Sequence, residues 1–173
     1  MKGKNLLPMA AAAAAVFFAG IFIGTRLGVK MESMAIQGTE QIPQLSTEGF
    51  SKADVRTDPY VIYLVSNCSR LSMITNEVQT DSIEKGIHNI TDMRPTTHDM
   101  INLIMMNFDI HPLMVKVESF KDGTYYSKIL LRQGNNILNL DSRPSDSIAI
   151  AVRAGIPVYV KNSLLEELGE KIC

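Results

Sequence analysis

Residues 113–155 read LMVKVESFKDGTYYSKILLRQGNNILNLDSRPSDSIAIAVRAG. Over 113–120, Leu, Val and Val alternate with Met, Lys and Glu, the period of a half-buried strand. Asp122-Gly123 is the strongest hairpin turn in the chain. Residues 125–131 are the returning strand, Gly134-Asn135-Asn136 turns the chain again, and 137–140 forms a third strand. Ser145 then caps a helix that stops at Gly155, a residue suited to a helix C-terminus. Antiparallel strands that feed a helix point to an α+β domain.

The same order can be read upstream. Strands at 60–65 and 70–75 flank a turn at 66–69. A helix follows over 81–88, capped by Thr80 or Asp81. Pro95 interrupts the chain, and Thr97 is a good N-cap for a helix to about residue 108. Ile101, Ile104, Met105 and Phe108 make its apolar stripe. Residues 157–160 form a short strand, and Asn162 caps a terminal helix. Asp81-Ser82-Ile83 and Asp146-Ser147-Ile148 each open a helix after a pair of strands. The expected domain therefore spans 58–173: a mixed or antiparallel sheet, packed helices and two loosely related halves.

Residues 31–57 (MESMAIQGTEQIPQLSTEGFSKADVRT) are polar and show no sustained apolar period, as in a flexible tether. Before them, residues 6–25 (LLPMAAAAAAVFFAGIFIGT) carry no charge. A helix of that length spans about 30 Å, the thickness of a bilayer core. Residues 1–30 therefore read as a single-pass membrane anchor with its transmembrane part at 6–25. A cleaved signal peptide is the competing reading, since Lys2 and Lys4 precede an apolar run and a small-x-small triplet occurs at Ser33-Met34-Ala35. Length favours the anchor. Arg26 and Lys30 nearly balance Lys2, Lys4 and the amino terminus, with a slight tilt to the folded domain lying outside. Gly20, Gly24 and Gly28 share one helix face, a spacing that permits close helix pairing.

The 173 residues suit one domain. The chain has a formal net charge of -1, and its 46% apolar content excludes a fully disordered chain. The first thirty residues hold Lys2, Lys4, Arg26 and Lys30 and no acid, so the remainder is acidic. Loose electrostatic adhesion to nucleic acid needs a surplus of Lys and Arg on one face, which is not offered. Two cysteines, Cys68 and Cys173, exclude a disulfide-dense scaffold and a four-cysteine metal site. There is no Gly-rich phosphate loop and no GxSxG elbow.

Two segments concentrate polar chemistry: Arg94-Pro-Thr-Thr-His-Asp99 and Asp141-Ser-Arg-Pro-Ser-Asp146. Each places Arg-Pro just before a helix N-terminus, where free N–H groups attract anions. Arg94 and Arg143 add bidentate donors for a phosphate. Capping alone would account for Thr97, Asp99, Ser145 and Asp146. His98 is harder to explain so, because the helix dipole opposes its protonation; a neutral His suits general base work. His88 and His111 carry no partner pattern.

RPTTHDM at 94–100, DGTYYSKILL at 122–131 and DSRPSDSIAIAVRAGIPVYV at 141–160 together resemble the bifunctional nuclease domain family. The resemblance covers about residues 58–168, although 66–86 diverges from the family pattern. It implies an α+β fold, a nuclease of relaxed specificity acting on RNA and DNA, and a tendency to form homo-oligomers. It carries the family's shared polar positions onto Arg94, Thr97, His98, Asp99, Asp122, Asp141, Arg143, Ser145 and Asp146. Phosphodiester hydrolysis needs charge neutralisation, an activated water and a protonated leaving oxygen. Arg94 and Arg143 are then expected to clamp the phosphate. His98, oriented by Asp99, would transfer the proton together with Asp146. Asp141 and Asp146 would hold a divalent cation such as Mg²⁺. The alternatives are a binding module that takes an anion, nucleotide or protein without turnover, and an Arg–Asp network whose role is only structural.

Overall fold

The computed structural model describes residues 43–173. The proposed anchor at 6–25 and the first part of the tether, 31–42, lie outside the described residues. Among the described residues no helix is long and apolar enough to cross a membrane.

Eight strands form one mixed sheet. They are β1 (Phe50–Asp58), β2 (Val61–Ser66), β3 (Ser69–Ile74), β4 (His111–Lys121), β5 (Thr124–Gln133), β6 (Asn136–Ser142), β7 (Val158–Lys161) and β8 (Glu170–Lys171). Four helices accompany them: α1 (Glu77–Ile87), α2 (Thr97–Asn107), α3 (Pro144–Ala154) and α4 (Asn162–Leu168). The sheet order is β6-β5-β4-β7-β1-β2-β3-β8. Only β4 and β7 run parallel. Each half is thus a three-strand meander followed by a helix: β1-β2-β3-α1 and β4-β5-β6-α3. The meander turns rest on backbone that few residues tolerate. Asp122 and Gly123 adopt φ of 50° and 76°, as a two-residue hairpin requires.

Burial follows the pleat in β2, but β4 buries Val115, Lys116 and Val117 in succession, so Lys116 does not face out as the sequence alternation had it. In β2, Ile62, Leu64 and Ser66 point into the core and their neighbours do not. Ile62, Leu64, Leu71, Ile83, Val115, Val117, Ile148, Ala149, Ala151 and Val160 belong to one continuous apolar cluster. Helix α3 packs centrally on β4 and β5 and contacts both α1 and α2. Gly86 lets α1 approach α3 closely; a Cβ there would meet Val152 Cγ2 at 2.5 Å.

Several boundaries differ from the sequence reading. The tether was expected to run to residue 57, yet β1 starts at Phe50. Its apolar residues are sparse and only Ala53 is buried, so no alternation marks it. Its partners β7 and β2 on either side complete its ladder. Helix α1 begins four residues before Asp81, with the Asn76 side chain accepting from Gln79 N. Thr96, not Thr97, caps α2. Arg143 occupies the cap position of α3, with Pro144 in the first turn and Ser145 buried. Ile104 and Phe108 were read as part of the apolar stripe of α2, but they are 52% and 65% exposed. Cys68 and Cys173 form a disulfide across 105 residues, with Cα atoms 5.2 Å apart. Neither residue's spacing could announce that pairing.

Candidate active site

The first turn of α2 is built around Asp99. The Thr96 N–H and hydroxyl both donate to Asp99 Oδ2, at 2.8 and 2.7 Å, and Asp99 N donates back to Thr96 Oγ1. This is a capping box, the reason the helix starts here. The other carboxylate oxygen, Oδ1, receives Arg153 Nε at 2.5 Å. That ion pair is nearly enclosed, with 8% and 13% of the two side chains exposed. Burial opposes the charge of Asp99. The Thr96 hydroxyl, the Arg153 guanidinium and the Thr96 N–H outweigh it and hold the carboxyl at about 2.

His98 is the next residue back, and it faces elsewhere. Neighbours at i and i+1 on a helix do not face one another, so Asp99 does not orient His98 as the sequence reading had it. Instead Ser82 of α1 lies 2.9 Å from Nδ1. Asp146 Oδ1 of α3 lies 3.6 Å from Nε2. Burial pushes the imidazole below its ordinary value; Asp146 pulls the other way and Arg153 adds to the lowering. His98 is therefore neutral at pH 7, in the direction expected, though desolvation is the main cause.

Asp146 sits in the first turn of α3. Arg143 donates to both its oxygens, from Nε to Oδ2 at 2.7 Å and from Nη2 to Oδ1 at 3.1 Å. The Arg143 side chain is 73% exposed. It also borders a cleft of about 380 Å³ that runs past Ser145, Thr124, Tyr125, Asn76 and Gln79. The cleft is an open groove between the β4–β5 turn and the start of α1.

The two Arg-Pro segments thus meet, but through only some of their residues. His98, Asp146 and Arg143 converge. Arg94 is exposed in the loop before α2, and among the described residues no ion pair ties it to either acid. Asp141 is exposed on β6 opposite Lys128. Asp122 belongs to the hairpin turn. Thr97 is exposed and takes no part in the cap. Among the described residues no three His, Cys, Asp or Glu side chains gather where they could hold a metal ion. Asp146 is moreover already engaged by Arg143 and His98.

Two residues of this network were missed from sequence. Ser82 was noted only as the middle of a repeated triplet. Arg153, in the last turn of α3, reads as an ordinary complement to the helix dipole. Its Nη1 donates to Ser82 O at 2.8 Å and to Ala149 O at 2.9 Å, and its Nη2 donates to Ser82 Oγ at 3.3 Å. Nothing local to residue 153 signals contacts 54 and 71 positions away.

A family model described as the bifunctional nuclease domain matches residues 61–172, well over half of the chain. An uncharacterized protein of Mycobacterium tuberculosis is 33% identical over 76 residues, covering 44% of this chain and 44% of its own. Bifunctional nuclease 1 of Oryza sativa subsp. japonica is 26% identical over 105 residues, covering 59% of this chain and 32% of its own. Bifunctional nuclease 1 of Arabidopsis thaliana shows the same identity and coverage. The matched stretch spans less than half the length of each of these relatives.

Proposed function

The chain belongs to the bifunctional nuclease domain family, and from that membership we propose that it hydrolyses phosphodiester bonds of RNA and DNA with low sequence specificity. The observation that carries the reading is the convergence of neutral His98 and Asp146 with the outward-facing Arg143, which borders a cleft. Arg143 would neutralise the phosphoryl oxygens through its outer N–H groups, since Nε and Nη2 donate to Asp146. Asp146 would accept the proton of the attacking water and return it to the leaving oxygen, with His98 beside it as an N–H donor to the phosphate. The cleft past Tyr125 would take the neighbouring nucleotide, with an aromatic wall for a base. Arg94 would meet the chain further out, as an exposed cation on the same helix entrance.

A divalent ion such as Mg²⁺ enters the proposal only through Asp141. Mg²⁺ sites commonly use one or two carboxylates plus substrate oxygens, and Asp146 is committed elsewhere.

The proposal also places the enzyme on a membrane, tethered through residues 6–25, with the domain outside. The Cys68–Cys173 disulfide supports an oxidising compartment. Self-association is supported by the exposed Met100, Leu103, Ile104 and Met106 of α2 and Phe108 at its C-cap. If that face joins two copies, Phe108→Asp lowers the sedimentation coefficient of the wild type.

The test is cleavage of labelled single-stranded RNA and DNA by the full chain, with Mg²⁺ or with EDTA, beside His98→Ala and Arg143→Ala. Turnover is expected, and His98→Ala is expected to reduce it by about 10²-fold or more with melting retained. No cleavage under either condition overturns the reading. Titration with a mononucleotide then tests the non-catalytic alternative, an anion- or nucleotide-binding module on the same fold.

A further inference from the structure

The hydrogen-bonding groups around Ser82 constrain one another. Arg153 is donor-only, and its Nη2 reaches Ser82 Oγ at 3.3 Å while its Nη1 holds Ser82 O at 2.8 Å. Asp99 anchors the same guanidinium at Nε. The Ser82 oxygen is thus an acceptor towards Arg153. Its own proton is free for the remaining neighbour, and that neighbour is His98 Nδ1 at 2.9 Å. A neutral imidazole carries one N–H and one lone pair, and the hydrogen bond at one nitrogen decides the state of the other.

We propose that Ser82 is a positioning residue: its hydroxyl, held by the Arg153–Asp99 pair, keeps neutral His98 as the Nε2–H tautomer. The proton then points to Asp146 Oδ1, 3.6 Å away, the carboxylate that Arg143 also holds. Ser82 is itself 8% exposed, so it acts through His98 and not on substrate. The role for turnover rests on the nuclease reading. There His98 meets the phosphate as an N–H donor, and the carboxylate of Asp146 is the acceptor beside it. The arrangement also tolerates charging of His98. A hydroxyl can reverse its direction, so an imidazolium Nδ1–H would still find Ser82 Oγ as acceptor.

The tautomer can be read without turnover. Long-range ¹H–¹⁵N correlation spectra of the full chain, with His88→Gln and His111→Gln for assignment, report which nitrogen of His98 is protonated above its pKa. Nε2 protonated and Nδ1 bare is the expected result. In Ser82→Ala the two tautomers mix, and Ser82→Thr, which keeps the hydroxyl, restores the single form. A wild-type His98 with its proton on Nδ1 overturns the proposal, and so does an unchanged tautomer in Ser82→Ala. The wild-type spectrum decides even if Ser82→Ala does not fold. Where cleavage is measurable, Ser82→Ala lowers kcat by about tenfold with KM unchanged, a fraction of the ~10²–10⁴ that acid–base groups supply. An inactive wild type that nonetheless shows the Nε2–H form removes the nuclease reading and leaves the tautomer assignment standing.

Discussion

Asp99 and His98 are adjacent, and their separate environments depress both, so each contributes less to stability as pH falls, in different windows. Asp99 is held at about 2 against an ordinary value of 3.8. A carboxyl depressed in the native state stabilises the fold above its unfolded pKa and loses that contribution as pH falls through the native one. The contribution amounts to about 2 kcal/mol and is expected to vanish between about pH 4 and pH 2. His98 is also depressed, by desolvation first. Below about pH 6.5 the unfolded chain takes up a proton that the native imidazole still refuses, so stability falls as the pH drops. Urea melts at a series of pH values check both windows. His98→Gln should flatten the upper one and leave the lower one in place. Arg153→Met should remove the partner that holds Asp99. Breaking a nearly enclosed ion pair from one side costs about 3–5 kcal/mol, because the remaining charge is left uncompensated. A midpoint that does not move in urea would show that water replaces the guanidinium.

Helices α1 and α3 approach through Gly86. An added Cβ meets Val152 Cγ2 at 2.5 Å and Arg153 Nη1 at 2.9 Å. Arg153 cannot yield freely, since Nη1 is tied to Ser82 O and Ala149 O. Gly86→Ala gains helix propensity but overpacks the contact, and a net loss of about 1–2 kcal/mol is expected from thermal melts. The same substitution should disturb the His98 tautomer, since it presses on the residue that directs Ser82. Helix α2 shows why a sequence stripe is an incomplete guide. Its Met105 is buried and Ile101 partly so, while Ile104 and Phe108 lie on the exposed side. Apolar spacing fixes which residues share a helix face; it does not decide which faces are covered.

At the level of the whole molecule, the disulfide joins the β2–β3 turn to the last residue and lies beside the short β8. A cross-link over about 100 residues removes about 4–5 kcal/mol of unfolded-chain entropy in the loop-closure description. Reduction, or Cys173→Ser, is therefore expected to lower Tm by several degrees. It should leave the His98 region intact, since α1, α2 and α3 pack around it without α4 or β8. An unchanged Tm would place the cross-link outside the cooperative unit.

The strand over 113–120, the Asp122-Gly123 turn and the Gly155 stop were legible because each is local chemistry, although the expected alternation fails at Lys116, which is buried with Val115 and Val117. They sufficed for an α+β domain with two loosely related halves. The two Arg-Pro segments were legible as polar clusters for the same local reason. The strand at 50–58 was not, because it draws its hydrogen bonds from β7 and β2 and buries only Ala53. Nor was the composition of the site. That His98 faces Ser82 and Asp146, and that Asp99 turns to Arg153, depends on how α1, α2 and α3 pack. Residue type and spacing determined which groups this chain could bring to a site. Tertiary packing decided which of them touch, because hydrogen bonds and ion pairs act over about 3 Å and sequence distance does not measure that.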